Sequence, residues 1–278
     1  MQHILVPTDF SNNAYSALFY VTQLQKGIAS KFYLLNVYNG FTPLKTAIKG
    51  MATIEQLAQE SEQGLKSIMH RIRLDDQEPG HSFEALSEHG DLVTVITALV
   101  EAFTIDLVAI GNKGRSEIEA IFFGSNALHI IGKIQKCPVL TIPKQLDFKP
   151  LKSIAFVTDY GRPYDAGILD PLVRLAKQYD AKIRVMHINE REELTRSQDI
   201  NLGILMEYLK SYKCSAHWMP LYKSKATAIN DFLRELNIDL LVMVNYEHSL
   251  IEELTHEPVI KRMAFDPDLP VLIVPSPN

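Results

Sequence analysis

The chain has 278 residues, of which 46% are hydrophobic and 22% charged, a composition typical of globular proteins rather than disordered or fibrous ones. Its length fits two domains of ordinary size. A net charge of -5 and a pI near 6.0 argue against broad electrostatic binding to nucleic acid or to an anionic membrane.

The two cysteines, Cys137 and Cys214, are too few for a disulfide scaffold or a four-thiolate zinc site, and we expect reduced, inert thiols. The histidines are scattered without metal-ligand spacing, so no metal site is predicted. No apolar run approaches the length of a membrane span, and no secretory signal is recognised at the N-terminus. We therefore expect a cytoplasmic protein.

Short β-rich runs alternate with helical patterns along the first half. Ser11 and Asp91 are the expected N-caps of the first and third helices. An apolar stripe on the second helix, including Ile54 and Leu65, is expected to face the sheet. The alternation indicates a parallel sheet with right-handed crossovers. Strands are predicted near 3–7, 32–37, 81–87, 106–110 and 138–142, and helices near 12–26, 52–73, 91–103 and 125–135.

The second half repeats the first in four ordered matches. Residues 4–10, Ile-Leu-Val-Pro-Thr-Asp-Phe, match residues 154–160, Ile-Ala-Phe-Val-Thr-Asp-Tyr. Later matches pair 33–37 with 184–188, 105–110 with 238–243 and 138–143 with 270–275. The order indicates two whole domains, 1–146 and 151–278, joined by a polar linker around 144–152. Strands of the second copy are predicted near 153–157, 183–188, 214–219, 239–244 and 270–274.

Two segments of the first copy leave predicted strands with unusual chemistry. One is Pro7-Thr8-Asp9, and the other carries Gly111, Gly114 and Gly124-Ser125. Ligands of open parallel sheets bind beyond the carboxyl ends of the strands, where the strand order reverses. Gly114 lets the backbone approach a ligand, and free N–H groups at a helix starting near Ser125 suit a phosphate. The spacing fits neither a Walker A loop nor the Gly-x-Gly-x-x-Gly fingerprint.

These motifs resemble those of the universal stress proteins. Nucleotide-binding members carry Gly-x2-Gly-x9-Gly-Ser/Thr after the fourth strand, a first strand ending in Pro-x-Asp, and a closing Cys-Pro-Val-Leu-x-x-Pro. Here the last of these is Cys137-Pro-Val-Leu-Thr-Ile-Pro143. The resemblance covers both halves. It implies two tandem Rossmann-like domains of the adenine nucleotide alpha hydrolase-like type, each a five-stranded parallel sheet flanked by helices.

The resemblance also implies an ATP site, with Mg²⁺, in the first domain. Asp9 would contact the adenosine moiety and the backbone at Val37 would hold the adenine. Ribose and phosphates would lie on the glycine loop and its terminal Ser. The expected cofactor-binding residues are therefore Pro7, Thr8, Asp9, Val37, Gly111, Asn112, Gly114, Gly124, Ser125 and Asn126. The residues alone leave Asp9 open as an ordinary turn or N-cap residue.

The second copy departs from the nucleotide-binding pattern. Val244 stands where the first copy has Gly111, Glu247 where it has Gly114, and Glu257-Pro258 where it has Gly124-Ser125. Two carboxylates and a proline that lacks an N–H should abolish phosphate binding. We therefore expect a degenerate, structural or regulatory domain, although the retained Asp159 leaves an unrelated small ligand open.

The leading hypothesis is an ATP-binding regulator in the stress response, with an unidentified protein partner. The alternatives are a slow ATPase or phosphoryl-transfer enzyme, for which no general base is visible, and a nucleotide-free scaffold. By resemblance, the last strands of the two domains should pair edge to edge in an intramolecular pseudo-dimer. Association of two chains into a homodimer stays open.

Overall fold

The described residues form two compact units. The computed structural model describes residues 1–39, 53–112, 125–144, 146–189, 193–220, 225–245 and 269–276, without the side chains of residues 125, 126, 189 and 220. The first unit ends at Phe148 and the second continues from Lys149. No helix within these ranges is both long and apolar enough to cross a bilayer.

The first unit is a parallel sheet of five described strands in the order β3-β2-β1-β4-β5. Helices fill the connections between successive strands, which is the pattern that the alternation predicted. The elements are β1 (Gln2–Pro7), α1 (Asn12–Leu24), β2 (Ser30–Tyr38), α2 (Ile54–Asp75), β3 (His81–His89), α3 (Leu92–Ala102), β4 (Leu107–Gly111), α4 (Ser125–Lys133) and β5 (Val139–Ile142).

The second unit has the same strand order, β8-β7-β6-β9-β10, and its described strands are again all parallel. The predicted α/β fold, with a five-stranded parallel sheet in each half, is therefore confirmed. The elements are β6 (Ser153–Val157), α5 (Ala166–Tyr179), β7 (Lys182–Asn189), α6 (Arg196–Leu209), β8 (Cys214–Pro220), α7 (Lys225–Glu235), β9 (Leu240–Asn245) and β10 (Val271–Pro275).

Side-chain caps set the helix starts. Ser11 accepts a hydrogen bond from the Ala14 N–H and Asp91 accepts one from the Thr94 N–H, so both predicted N-caps are confirmed. The second helix begins two residues later than predicted because Thr53 forms a capping box at its start. Leu65 of its apolar stripe is buried as expected, but Ile54 is exposed at the first helical position.

The repeated Ile-Asp-Leu motif joins the first and fourth strands of each unit. Asp106 accepts the His3 N–H at 2.8 Å and donates its own N–H to the His3 carbonyl. In the second unit, Asp239 accepts the Ser153 N–H at 2.9 Å and returns its N–H to the Ser153 carbonyl. The same pair of hydrogen bonds between the aspartate and the first strand explains why this motif recurs in both halves.

The two thiols are structural. Cys137 is buried, and this burial raises the pKa of its thiol to about 12, so the thiol stays protonated and inert. Cys214 opens β8, and burial raises the pKa of its thiol as well. Burial agrees with the expectation that both thiols are reduced and inert, which stays a prediction.

Candidate functional site

The candidate site lies at the carboxyl ends of β1 and β4 in the first unit. The chain runs outward from β1 through β2 to β3, and then returns to place β4 on the other side of β1. Open α/β sheets bind ligands at such a reversal of strand order, beyond the carboxyl ends of the strands. Pro7 ends β1 and Gly111 ends β4, so the topology brings both predicted segments to one edge.

The segment Thr8–Ser11, here called the β1 turn, is held rigidly. The Thr8 N–H donates to the Leu35 carbonyl at 2.8 Å, and the Asn36 side-chain amide donates to the Thr8 carbonyl at 2.7 Å. Phe10 has a φ of 64°, a left-handed conformation that side chains rarely adopt. Its N–H donates to the Thr8 hydroxyl at 3.1 Å. Such strain is retained only where the surroundings determine it, as at ligand sites.

Asp9 is exposed at the tip of the β1 turn. Its Oδ1 accepts the Ser11 N–H at 3.1 Å and also the Ser11 hydroxyl, while Ser11 caps α1. The carboxylate therefore has a turn-forming role, one of the two that the sequence left open. The ligand role of Asp9 stays a prediction.

The β4 exit, Gly111–Asn112, is fixed from two sides. The Asn112 N–H donates to the Ile142 carbonyl at 2.7 Å, and the Asn13 side-chain amide donates to the Asn112 carbonyl at 3.0 Å. A Cβ added to Gly111 would lie 2.9 Å from Asn13 Nδ2 and 3.0 Å from the Asn13 carbonyl oxygen. Gly111 is therefore required here by close packing against the first turn of α1.

The described residues contain part of the predicted site. Val37 lies half-buried near the end of β2. A helix is present where one was predicted near 125–135, and its described part runs from Ser125 to Lys133, although the side chains of Ser125 and Asn126 are not described. Gly114 and Gly124 lie outside the described residues, as do Glu247, Glu257 and Pro258 of the second half.

The second unit builds the same turn at the end of β6. The Thr158 N–H donates to the Met186 carbonyl at 3.0 Å, and His187 Nδ1 lies 3.1 Å from the Thr158 carbonyl oxygen. Tyr160 has a φ of 57° and donates its N–H to the Thr158 hydroxyl at 3.1 Å. The Thr-Asp match between the halves thus corresponds to one turn built twice, with His187 in place of Asn36.

Beyond that turn the two units differ. Ser11 caps α1 two residues after Asp9, whereas Asp165 caps α5 six residues after Asp159. The Asn201 and Gln198 amides of α6 donate to the carbonyls of Tyr160 and Asp159, at 2.8 Å each. Tyr160 is fully buried, whereas Phe10 at the matching position is 38% exposed. Side chains of the second unit therefore cover a turn whose counterpart in the first unit is partly exposed among the described residues.

The sequence interpretation missed Asn13 and Asn36 as site residues. Asn36 had a detectable signal, because it is a polar residue inside an apolar strand and matches His187 in the repeat. Asn13 had no such signal in the sequence, because its partner Asn112 is 99 residues away.

The hydroxyl of Tyr160 leads to a stability prediction. It is buried without a hydrogen-bond partner among the described residues, and burial raises its pKa well above the usual value, so it stays neutral. Tyr160→Phe should raise the free energy of unfolding by about 1 kcal/mol, because an unsatisfied buried group is removed. Chemical denaturation followed by circular dichroism measures this.

Tyr164→Phe is the matched control. Tyr164 is also buried, but its hydroxyl bonds to the Thr158 hydroxyl, so its loss should lower the free energy of unfolding by about 1 kcal/mol. Equal losses from the two substitutions would contradict the interpretation of Tyr160.

Comparison with family models identifies one family, and similar solved structures share the fold. The model of the universal stress protein family matches residues 1–143. A universal stress protein from Archaeoglobus fulgidus DSM 4304 is 16% identical, with 98% of each chain covered and a TM-score of 0.75. A functionally unknown protein from Pseudomonas aeruginosa PAO1 is 15% identical, covering 99% of this chain and 92% of that one, with a TM-score of 0.62. At such identities these structures establish the fold. Comparison with curated protein sequences finds no significant match.

Proposed function

The chain belongs to the universal stress protein family, and from that premise we propose that its first half binds one ATP, with Mg²⁺, between the β1 turn and the β4 exit. Occupancy of this site would make the protein a nucleotide-responsive regulator in the stress response. The second half would bind no nucleotide.

The observation that carries the proposal is the convergence of two fixed backbone segments at the strand-order reversal. The Asn36 amide holds the β1 turn at the Thr8 carbonyl, and hydrogen bonds from α1 and to β5 hold the β4 exit. Backbone groups fixed at two adjacent strand ends suit a ligand at this edge of the sheet, and an exposed carboxylate such as Asp9 suits a ribose hydroxyl. These groups suit the ribose of a nucleotide, and its phosphates would lie on the glycine loop.

A regulatory role requires that ATP distinguish two states of the protein. A ligand shifts an equilibrium only by its difference in affinity for the two conformations. The first turn of α1 touches the β4 exit through Asn13, so a ligand here bears on a helix as well as on two strands. We infer that ATP acts through the positions of these elements.

The test is to denature purified protein and identify the released nucleotide by anion-exchange chromatography. The double variant Gly114→Glu/Gly124→Glu introduces the carboxylates that the second half carries at Glu247 and Glu257. Its matched control is Gly132→Glu, an exposed position of α4 where an added Cβ meets nothing within 4 Å. Unaltered protein and control should release ATP near one per chain, and the double variant none.

Other outcomes separate the remaining hypotheses. Release of ADP would favour the slow ATPase. No nucleotide from the unaltered protein, together with no heat on adding Mg-ATP in calorimetry, would overturn ATP binding and favour a scaffold.

A further inference from the structure

We propose that Asn13 is a positioning residue for the nucleotide, which it serves by fixing the β4 exit against the first turn of α1. This role rests on the ATP-binding function proposed above. The sequence interpretation did not include Asn13 in the site.

The first support is the hydrogen bond between the side chain and the β4 exit. Asn13 Nδ2 donates to the Asn112 carbonyl at 3.0 Å, while the Asn112 N–H donates to the Ile142 carbonyl at 2.7 Å. One residue is thus held from a helix on one side and from a neighbouring strand on the other. Losing the Asn13 contact removes the hydrogen bond that holds Asn112 from the helix side.

The second support is the close fit between Asn13 and Gly111. An added Cβ on Gly111 would lie 2.9 Å from the Asn13 amide nitrogen and 3.0 Å from its carbonyl oxygen. The two residues therefore match in shape, and the first turn of α1 reaches the backbone of β4 directly.

The third support is that the described part of the structure leaves one polar atom of this side chain unsatisfied. Asn13 Oδ1 is buried, and among the described residues it has no hydrogen-bond partner. A buried unsatisfied acceptor costs free energy that offsets the bond made by Nδ2. Local features that work against stability are expected where a function requires them.

The second unit provides an internal comparison. Asn13 is the second residue of α1, and the second residue of α5 is Gly167, which has no side chain. At the strand, Gly111 is replaced by Val244, which is buried in β9. The half predicted to bind no nucleotide thus lacks both members of the pair. It has the glycine on the helix and the bulky residue on the strand, whereas the first half has the reverse.

The test compares Asn13→Leu with Asn12→Leu in the full chain. Leu has nearly the shape of Asn but neither donates nor accepts, and Asn12 is the exposed preceding residue of the same helix. Calorimetry should find Mg-ATP bound about tenfold more weakly by Asn13→Leu, the loss expected for one hydrogen bond, and unchanged for Asn12→Leu. Asn13→Ala, which adds no bulk, should give the same loss.

Two further readouts separate positioning from stability. The melting temperature of Asn13→Leu should be equal to or higher than that of the unaltered chain, because the orphan acceptor is gone. Hydrogen exchange of the Asn112 amide without nucleotide should become faster. Weaker ATP binding in parallel with a lower melting temperature and unchanged exchange would overturn the positioning role.

The outcomes also separate this role from the proposed function. No binding of Mg-ATP by the unaltered chain would overturn the proposed function and this role with it. Binding by the unaltered chain that Asn13→Leu leaves intact would overturn the role of Asn13 alone.

Discussion

Gly111→Val should lower the free energy of unfolding by about 2–3 kcal/mol, because the new side chain overpacks the junction of β4 with α1. The neighbours that must move include the Asn13 carbonyl, which is backbone and cannot rotate away as a side-chain tip would. Moving this turn also displaces the β4 exit, so Mg-ATP affinity should fall by at least about tenfold. Chemical denaturation and calorimetry measure the two effects.

Gly132→Val is the control for this substitution. Gly132 lies on the exposed face of α4 with open space around it, so the same change should leave both measurements nearly unaltered. Equal effects at Gly111 and Gly132 would show that lost glycine flexibility, and not the contact with Asn13, is responsible.

Asp76→Ala should have the largest effect on stability, a loss of about 3 kcal/mol. The Asp76 carboxylate lies 2.7 Å from His81 Nδ1, and their side chains are 4% and 1% exposed. His81 Nε2 lies 3.2 Å from the Gln25 carbonyl oxygen, so this pair joins the ends of α1 and α2 to the start of β3. Removing one partner leaves a buried polar group unsatisfied. Urea denaturation of the full chain measures the loss.

The double variant Asp76→Leu/His81→Phe tests the cause of that loss. Replacing both partners by apolar groups removes the unsatisfied group, so much of the lost stability should return. If the double variant loses as much stability as Asp76→Leu and His81→Phe lose in sum when made singly, the pair is not the interaction that stabilises this corner.

The fold was predictable because its signals are local. Apolar runs such as those around Leu34 and Val108 mark strands buried on both faces, and Ser11 and Asp91 mark helix starts by capping chemistry. The position of Ile54 was predicted wrongly because periodicity does not reveal where a helix extends beyond the sheet.

The candidate site was predictable only in part. Pro7 and Gly111 could be placed because strand ends and turn glycines are visible in a sequence. The contacts that fix these residues could not be predicted, because they join residues far apart in the sequence. Asn36 of β2 bonds to Thr8 after β1, and Asn13 of α1 bonds to the end of β4. The ligand roles of the predicted residues stay predictions.

The repeat also predicted more similarity between the halves than the structure has. Thr158-Asp159 does form the same turn as Thr8-Asp9. However, Gly161 and Pro163 follow that turn, and α5 begins only after Asp165. A proline disfavours helical backbone in the residue before it, so Pro163 explains why α5 begins later after its turn than α1 does.

The position of Trp218 makes its intrinsic fluorescence a probe of the second unit. It is the only tryptophan of the sequence, it belongs to the second unit, and it is 45% exposed beside the His187 ring at 5.3 Å. Intrinsic fluorescence therefore comes from the half expected to bind no nucleotide. A change of tryptophan emission on adding ATP would show that the second half responds to a ligand bound in the first half, without an attached label. A constant emission would show no such response at Trp218.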